Sequence, residues 1–185
     1  MIPMFTKTIA KISYRVMERI ARKSESKTID IVNNHELAGV TPEMIDWWWD
    51  NIDTTERYKK WHPKAHKSFV WEISPKGGHV GAVQRVIETI KVTTLLRIRW
   101  ENIKSIPIAP EYKHTLAASI LDNNNKAVSW LLHEYEPTQN GTKLRSTYRL
   151  PVKVPKWFIK AVKKHDMEEM GEFPNFLPNL YEENR

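Results

Sequence analysis

What restricts this chain most is the order of its elements. Short β-type runs separated by turn residues occupy residues 68–150, and they lead into a single long segment with helical periodicity. The runs cover 68–74, 81–92, 94–102, 113–121, 126–136 and 143–150. Pro75, Lys76, Gly77 and Gly78 close the first, Asp122 to Asn125 form a turn, and Asn140 and Gly141 mark another tight connection. Helical material, then consecutive strands on tight turns, then one helix with a single apolar face predicts an α+β domain with an antiparallel sheet. Such a sheet twists strongly and curls, and the last helix can fill its concave side.

That helix is predicted over 155–170. Phe158, Val162, His165 and Glu169 fall at i, i+4, i+7 and i+11, on one face, which Trp157 and Ala161 widen. Lys156, Lys160, Lys163 and Lys164 take the other face. The inward stripe therefore starts apolar and ends in a histidine and a carboxylate. A glutamate facing a core costs several kcal/mol unless it is paired, protonated or bound to a metal. His165 and Glu169 lie one turn apart and can grip the same ion, although a stripe that runs out into solvent near Gly171 also fits the pattern.

Upstream, Phe5, Ile9, Ile12, Val16 and Ile20 give a basic amphipathic helix over 5–23, suited to packing on the body or on a second copy, so a homodimer is expected to be possible. Residues 24–34 have weaker periodicity and read as linker. The organisation expected is an arm of residues 1–36 and a domain of residues 37–185. Inside the latter, Thr41, Pro42 and Glu43 signal the start of a helix that carries Trp47, Trp48 and Trp49 in three directions.

A chain of 185 residues is long enough for one real core. It has no cysteine, so disulfides, thiolate metal sites and cysteine nucleophiles are excluded, and a metal must sit on Asp, Glu or the 7 histidines. The net charge of +7 comes from scattered lysines and arginines with no nucleic-acid motif, so no nucleic-acid partner is expected. No apolar run has the length of a membrane span and the start lacks a secretion signal, which makes a cytoplasmic location the expectation.

Several polar residues stand where partners are needed. His62 and His66 precede the first strand, in a loop pattern more often found on surfaces than among metal ligands. Glu88 shares a strand face with Gln84, Val86 and Ile90. His133 shares one with Leu131 and Tyr135, and Tyr148 one with Ser146 and Leu150; both fit satisfied core residues or hydrogen-bond donors to a ligand.

Residues 39–48 (Gly39-Val40-Thr41-Pro42-Glu43-Met44-Ile45-Asp46-Trp47-Trp48) and 57–66 (Arg57-Tyr58-Lys59-Lys60-Trp61-His62-Pro63-Lys64-Ala65-His66) together resemble the 2,4-diacetylphloroglucinol hydrolase family. Gly141 to Ser146, His165 through Glu169, and Phe176-Leu177-Pro178-Asn179-Leu180-Tyr181 carry the resemblance to residue 181, with Trp-His-Pro-x-x-His its most specific part. It implies a helix-grip fold like that of the birch pollen allergen, and a zinc enzyme that hydrolyses the carbon-carbon bond between an acyl group and a phenolic ring. The implied metal ligands are His66, Glu88, His165 and Glu169, with Glu72 a competitor for the strand-borne carboxylate. Tyr58, His133 and Tyr148 fall where the family contacts substrate hydroxyls, with His133 the group for proton transfer. Phe69 stands where a polar substrate contact is expected, which leaves the natural substrate open. A carrier of an apolar or phenolic molecule on the same fold, and a non-haem iron enzyme on the same ligands, are the alternatives.

Overall fold

The computed structural model describes residues 4–184. Seven strands form one sheet in the order β1-β7-β6-β5-β4-β3-β2, every neighbouring pair antiparallel. They are β1 (Thr28–Ala38), β2 (His66–Ile73), β3 (Val83–Ile90), β4 (Val92–Glu101), β5 (His114–Leu121), β6 (Ala127–Thr138) and β7 (Gly141–Pro151). The helices are α1 (Met4–Lys23), α2 (Pro42–Asn51), α3 (Thr55–Trp61), α4 (Lys156–Gly171) and α5 (Phe173–Glu182). Strands β2 to β7 form consecutive hairpins, as the turn residues predict. The long helix α4 packs against β1 and β3. The concave sheet thus grips the helix, the helix-grip arrangement.

Two stretches differ from the sequence reading. The stretch read as linker forms most of β1, which pairs with β7 from Thr28↔Pro151 to Ala38↔Gly141. A boundary between residues 36 and 37 falls inside this strand. Its inner face runs Ile31, Asn33, His35 and Leu37, and the two polar residues in that row interrupt the apolar alternation that marks a strand. The second difference is α5, which contains Pro174 and Pro178 yet continues helically beyond Gly171. Pro174 sits in its first turn, where a missing N–H costs nothing.

An aromatic-rich core joins the helices to the sheet. Trp48, Trp49, Tyr58, Trp61, Phe69 and Phe173 are buried in one cluster with Ile45, Val86 and Leu177. Burying each large apolar side chain contributes about 1.5–3 kcal/mol, and here the rings also meet edge-on or stacked, as with Trp61 and Phe173 at 5.7 Å and 7°. Thr41 caps α2 by accepting from Met44 N, and Thr54 caps α3 by accepting from Arg57 N. Helices α2, α3 and α5 are thereby fixed against one end of the sheet.

Helix α1 packs on the body through Ala10 and Tyr14, whose hydroxyl donates to Leu121 O at 2.7 Å. The buried face is therefore rotated from the predicted stripe: Ile12 and Val16 are exposed. The side chain of Phe5, counted on that stripe, lies outside the described residues. Among the described residues no helix is long and apolar enough to cross a membrane.

Candidate metal centre and ligand cavity

Strand β2 begins with His66, cross-strand from Glu88 on β3, and α4 lays His165 and Glu169 over the pair. Glu88 points inward because Gln84, Val86 and Glu88 alternate with the exposed Arg85 along β3. Candidate ligand atoms of His66, His165 and Glu169 all lie within 4.8 Å of one another. His66 Nε2 is 3.5 Å from Glu169 Oε1, and His165 Nε2 is 3.6 Å from Glu169 Oε2 and 3.7 Å from Glu88 Oε2. These separations are too long for hydrogen bonds; the donor atoms of His66, His165 and Glu169 face a common point, and Glu88 stands beside them at His165.

The surroundings orient these groups. His66 Nδ1 meets the Tyr58 carbonyl at 2.8 Å; the carbonyl can only accept, so Nδ1 carries the proton and Nε2 keeps its lone pair. The Tyr58 ring stacks on His66 at 3.8 Å, and its hydroxyl donates to Glu88. His66 Nε2 is buried with no hydrogen-bond partner. A buried lone pair facing carboxylates that cannot donate when ionised is a structural argument for a cation between them. Neutral imidazole nitrogens and carboxylate oxygens are the donor types zinc accepts, so the residues fit that ion.

Electrostatics point the same way. Burial pushes the Glu169 carboxyl well above its ordinary range, and the Asp166 charge adds to this. Burial also raises Glu88, against the opposing pull of His66, with Glu169 raising it further. Burial lowers His165 to about 3, assisted by the charges of His66 and His62, and it lowers His66 as well. The histidines are thus held neutral, as ligands must be, while the carboxyls need a positive charge to remain ionised.

A cavity opens beside this cluster between the sheet and α4. Tyr58, Glu88, His133, Tyr148, His165 and Glu169 belong to its polar lining, and Trp49, Ile52, Leu96, Ile98, Trp100 and Val162 to its apolar walls. His133 is buried, its Nδ1 3.0 Å from Ser146 Oγ and its ring stacked 5.7 Å from Trp49 at an interplanar angle of 9°. Burial holds it neutral, with its pKa lowered to about 4. Tyr148 donates to Asp166 Oδ1 at 2.9 Å. Burial raises the hydroxyl pKa of Tyr58 and Tyr148 well above the usual phenol, and neighbouring carboxylates (Glu88 for Tyr58, Asp166 for Tyr148) raise it further.

The structure therefore brings together His66, Glu88, His165 and Glu169, with Tyr58, His133 and Tyr148 alongside. Glu72 is elsewhere: it sits on the exposed face of β2 and accepts from Arg97 Nε at 3.0 Å, which holds its carboxyl low. Phe69 is also elsewhere. Its ring is buried between Tyr58 at 5.6 Å and Trp71 at 5.1 Å, and its backbone is clamped by Thr55 Oγ1, so it backs Tyr58 and does not line the cavity. The segment before β2 is not a simple loop, since Tyr58 and Trp61 lie on α3 and His62 ends that helix. His62 stacks 4.9 Å from His165, its Nε2 3.6 Å from Glu168 Oε2.

The sequence reading missed Asp166, Asn33 and His35. Asp166 is fully buried, and its Oδ2 lies 2.6 Å from Asn33 Nδ2 and 2.9 Å from His35 Nε2. Burial alone would raise its pKa, yet the His35 hydrogen bond, the charges of His133 and His35, and the Asn33 hydrogen bond outweigh it and leave Asp166 lowered. One signal was present: Asp166 stands four residues after the core position Val162.

Comparison with known proteins agrees with this architecture. Phloretin hydrolase from Eubacterium ramulus is 24% identical over 189 residues, covering 84% of this chain and 68% of that protein. Among solved structures, Ara h 8.0201 superposes with a TM-score of 0.57 at 15% identity, over 83% of this chain and 99% of that one. Protein MLL2253 from Mesorhizobium loti superposes with a TM-score of 0.51 at 14% identity, over 85% and 99%. At such identities the structural likenesses speak for the fold alone. The family model described as the DAPG hydrolase PhiG domain matches residues 9–182, and so takes in most of α1 and all of β1. This chain belongs to the DAPG hydrolase family.

Proposed function

We propose that the protein is a zinc-dependent hydrolase that cleaves the carbon-carbon bond between an acyl group and a phenolic ring. The observation that carries this reading is the convergence of His66, His165 and Glu169, with Glu88 beside them, around a buried imidazole nitrogen that has no hydrogen-bond partner. Those four residues would hold the ion. When bound, zinc supplies a Lewis acid for an acyl carbonyl and a water of lowered pKa. The family and the phloretin hydrolase relative support the reaction class.

The difficulty in the reaction is the leaving group, a ring carbon that departs only once it is protonated. Phenolic hydroxyls solve this by letting the ring shift to a keto form with a proton on that carbon. Overall, water adds to the acyl carbon, the carbon-carbon bond breaks, and the ring leaves as the free phenol alongside a carboxylic acid. His133 is the group for moving the ring proton. Its Nδ1 is engaged with Ser146 and its lowered pKa keeps the ring neutral at neutral pH, so in the Nδ1–H tautomer Nε2 carries the lone pair that takes up a proton. Tyr58 and Tyr148 hold ring hydroxyls and so fix the tautomer and orientation. The apolar walls around Trp49, Ile98 and Trp100 exclude competing water.

The test is a panel of acylated polyphenols incubated with protein purified without a histidine tag. The expected result is release of the free phenol and the matching carboxylic acid in equal amounts. Binding without turnover would support a carrier instead, and oxidised ring products would support an iron enzyme.

A further inference from the structure

Asp166 draws together three elements at one buried carboxylate. Asn33 and His35 reach it from β1 and Tyr148 from β7, while it rides on α4 beside His165. Asn33 Nδ2 also lies 3.2 Å from Lys163 O, so the amide group is directed at α4. An amide nitrogen can only donate, which makes Asp166 the acceptor at Oδ2, and the Tyr148 hydroxyl donates to Oδ1. Tyr148 has one hydroxyl proton, and it is committed here. Toward the cavity that Tyr148 lines, its oxygen therefore offers lone pairs only.

We propose that Asp166, held by Asn33 and His35, is a positioning residue that fixes Tyr148 as a hydrogen-bond acceptor and thereby makes the cavity select ligands that bring a free hydroxyl. A phenolic O–H donates to Tyr148, and the chain onward to Asp166 strengthens that bond by polarisation. An ether at the same ring position has no hydrogen to give and leaves the Tyr148 oxygen unpaired, which discriminates strongly in a buried site. The choice of a phenol as ligand rests on the function proposed above; the direction of the Tyr148 hydrogen bond does not.

The experiment compares 2,4,6-trihydroxyacetophenone with its mono-O-methyl ethers, read as dissociation constants by quenching of tryptophan fluorescence. In the wild-type protein at least one ether is expected to bind about 10–100-fold more weakly than the parent. Asp166→Asn and Tyr148→Phe are expected to bring that ratio to within about threefold, and Asn33→Leu, at a half-buried position, to reduce it in part. Equal binding of parent and ethers by the wild type overturns the proposal and leaves the phenolic reading standing. Failure of parent and ethers alike to bind overturns both. An undiminished ratio in folded Asp166→Asn, or in Asn33→Leu should the first variant not fold, overturns the role of Asp166. Metal content is measured on each variant, and a ratio that changes only where metal is lost also overturns it.

Discussion

A buried carboxylate is held in place by a proton, by a hydrogen-bond donor or by a cation, and the two kinds of buried acid here use different means. Asp166 has donors from Asn33, His35 and Tyr148 and stays ionised. Glu169 faces the neutral nitrogens of His66 and His165 and is pushed well above the usual range by burial and by the Asp166 charge. His165→Ala and Glu169→Ala should therefore abolish metal binding and hydrolysis together, checked by elemental analysis and product release. Tyr148→Phe should retain metal and lower turnover by roughly 10–100-fold, the scale of one lost positioning hydrogen bond. For His133 the pH sign follows from a folded pKa of about 4 against an ordinary value of 6.5. The unfolded chain takes up that proton first, so this residue's contribution is complete above about pH 6.5 and is lost as pH falls towards 4. The Tm of metal-free wild type, measured relative to His133→Phe, should fall across that window and be level above it. His165 and Glu169 were legible in the sequence because they interrupt an apolar helical stripe. Asp166 was legible only as a position one turn after Val162, because Asn33 and His35 lie more than a hundred residues away and only the pairing of β1 with β7 brings them near.

At the scale of elements, turn chemistry made the six strands after residue 66 readable, and their hairpin order follows from it. Strand β1 was hidden for a reason tied to the site: Asn33 and His35 occupy inner positions where an apolar alternation would show, and they are there to meet Asp166. The rotated face of α1 has a similar origin. Its contact is made by small Ala10 and by Tyr14, whose hydroxyl finds Leu121 O, and an apolar count does not weigh such residues heavily. The β6–β7 hairpin depends on Gly141, which lies at φ +155°, where an added Cβ would come within 2.1 Å of Leu37 O. Gly141→Ala must displace β1 from β7. A cost of about 3 kcal/mol is expected, seen as a Tm lower by roughly 6–12 °C.

For the whole molecule, the candidate centre joins β2, β3 and α4, so an ion there ties the sheet to the helix it grips. Ligands that bind only the folded state stabilise it by mass action. Chelation should accordingly lower Tm and zinc should restore it, with no such response in His165→Ala. Helix-grip architecture alone does not decide between enzyme and carrier, since the cavity walls are largely apolar in either case. The donor cluster favours the enzyme, and the metal is the most direct measurement. Protein purified without a tag should carry about one zinc per chain, lose acylphenol hydrolysis in proportion as zinc is removed, and regain it on re-addition. Undiminished hydrolysis by zinc-free protein would contradict the account.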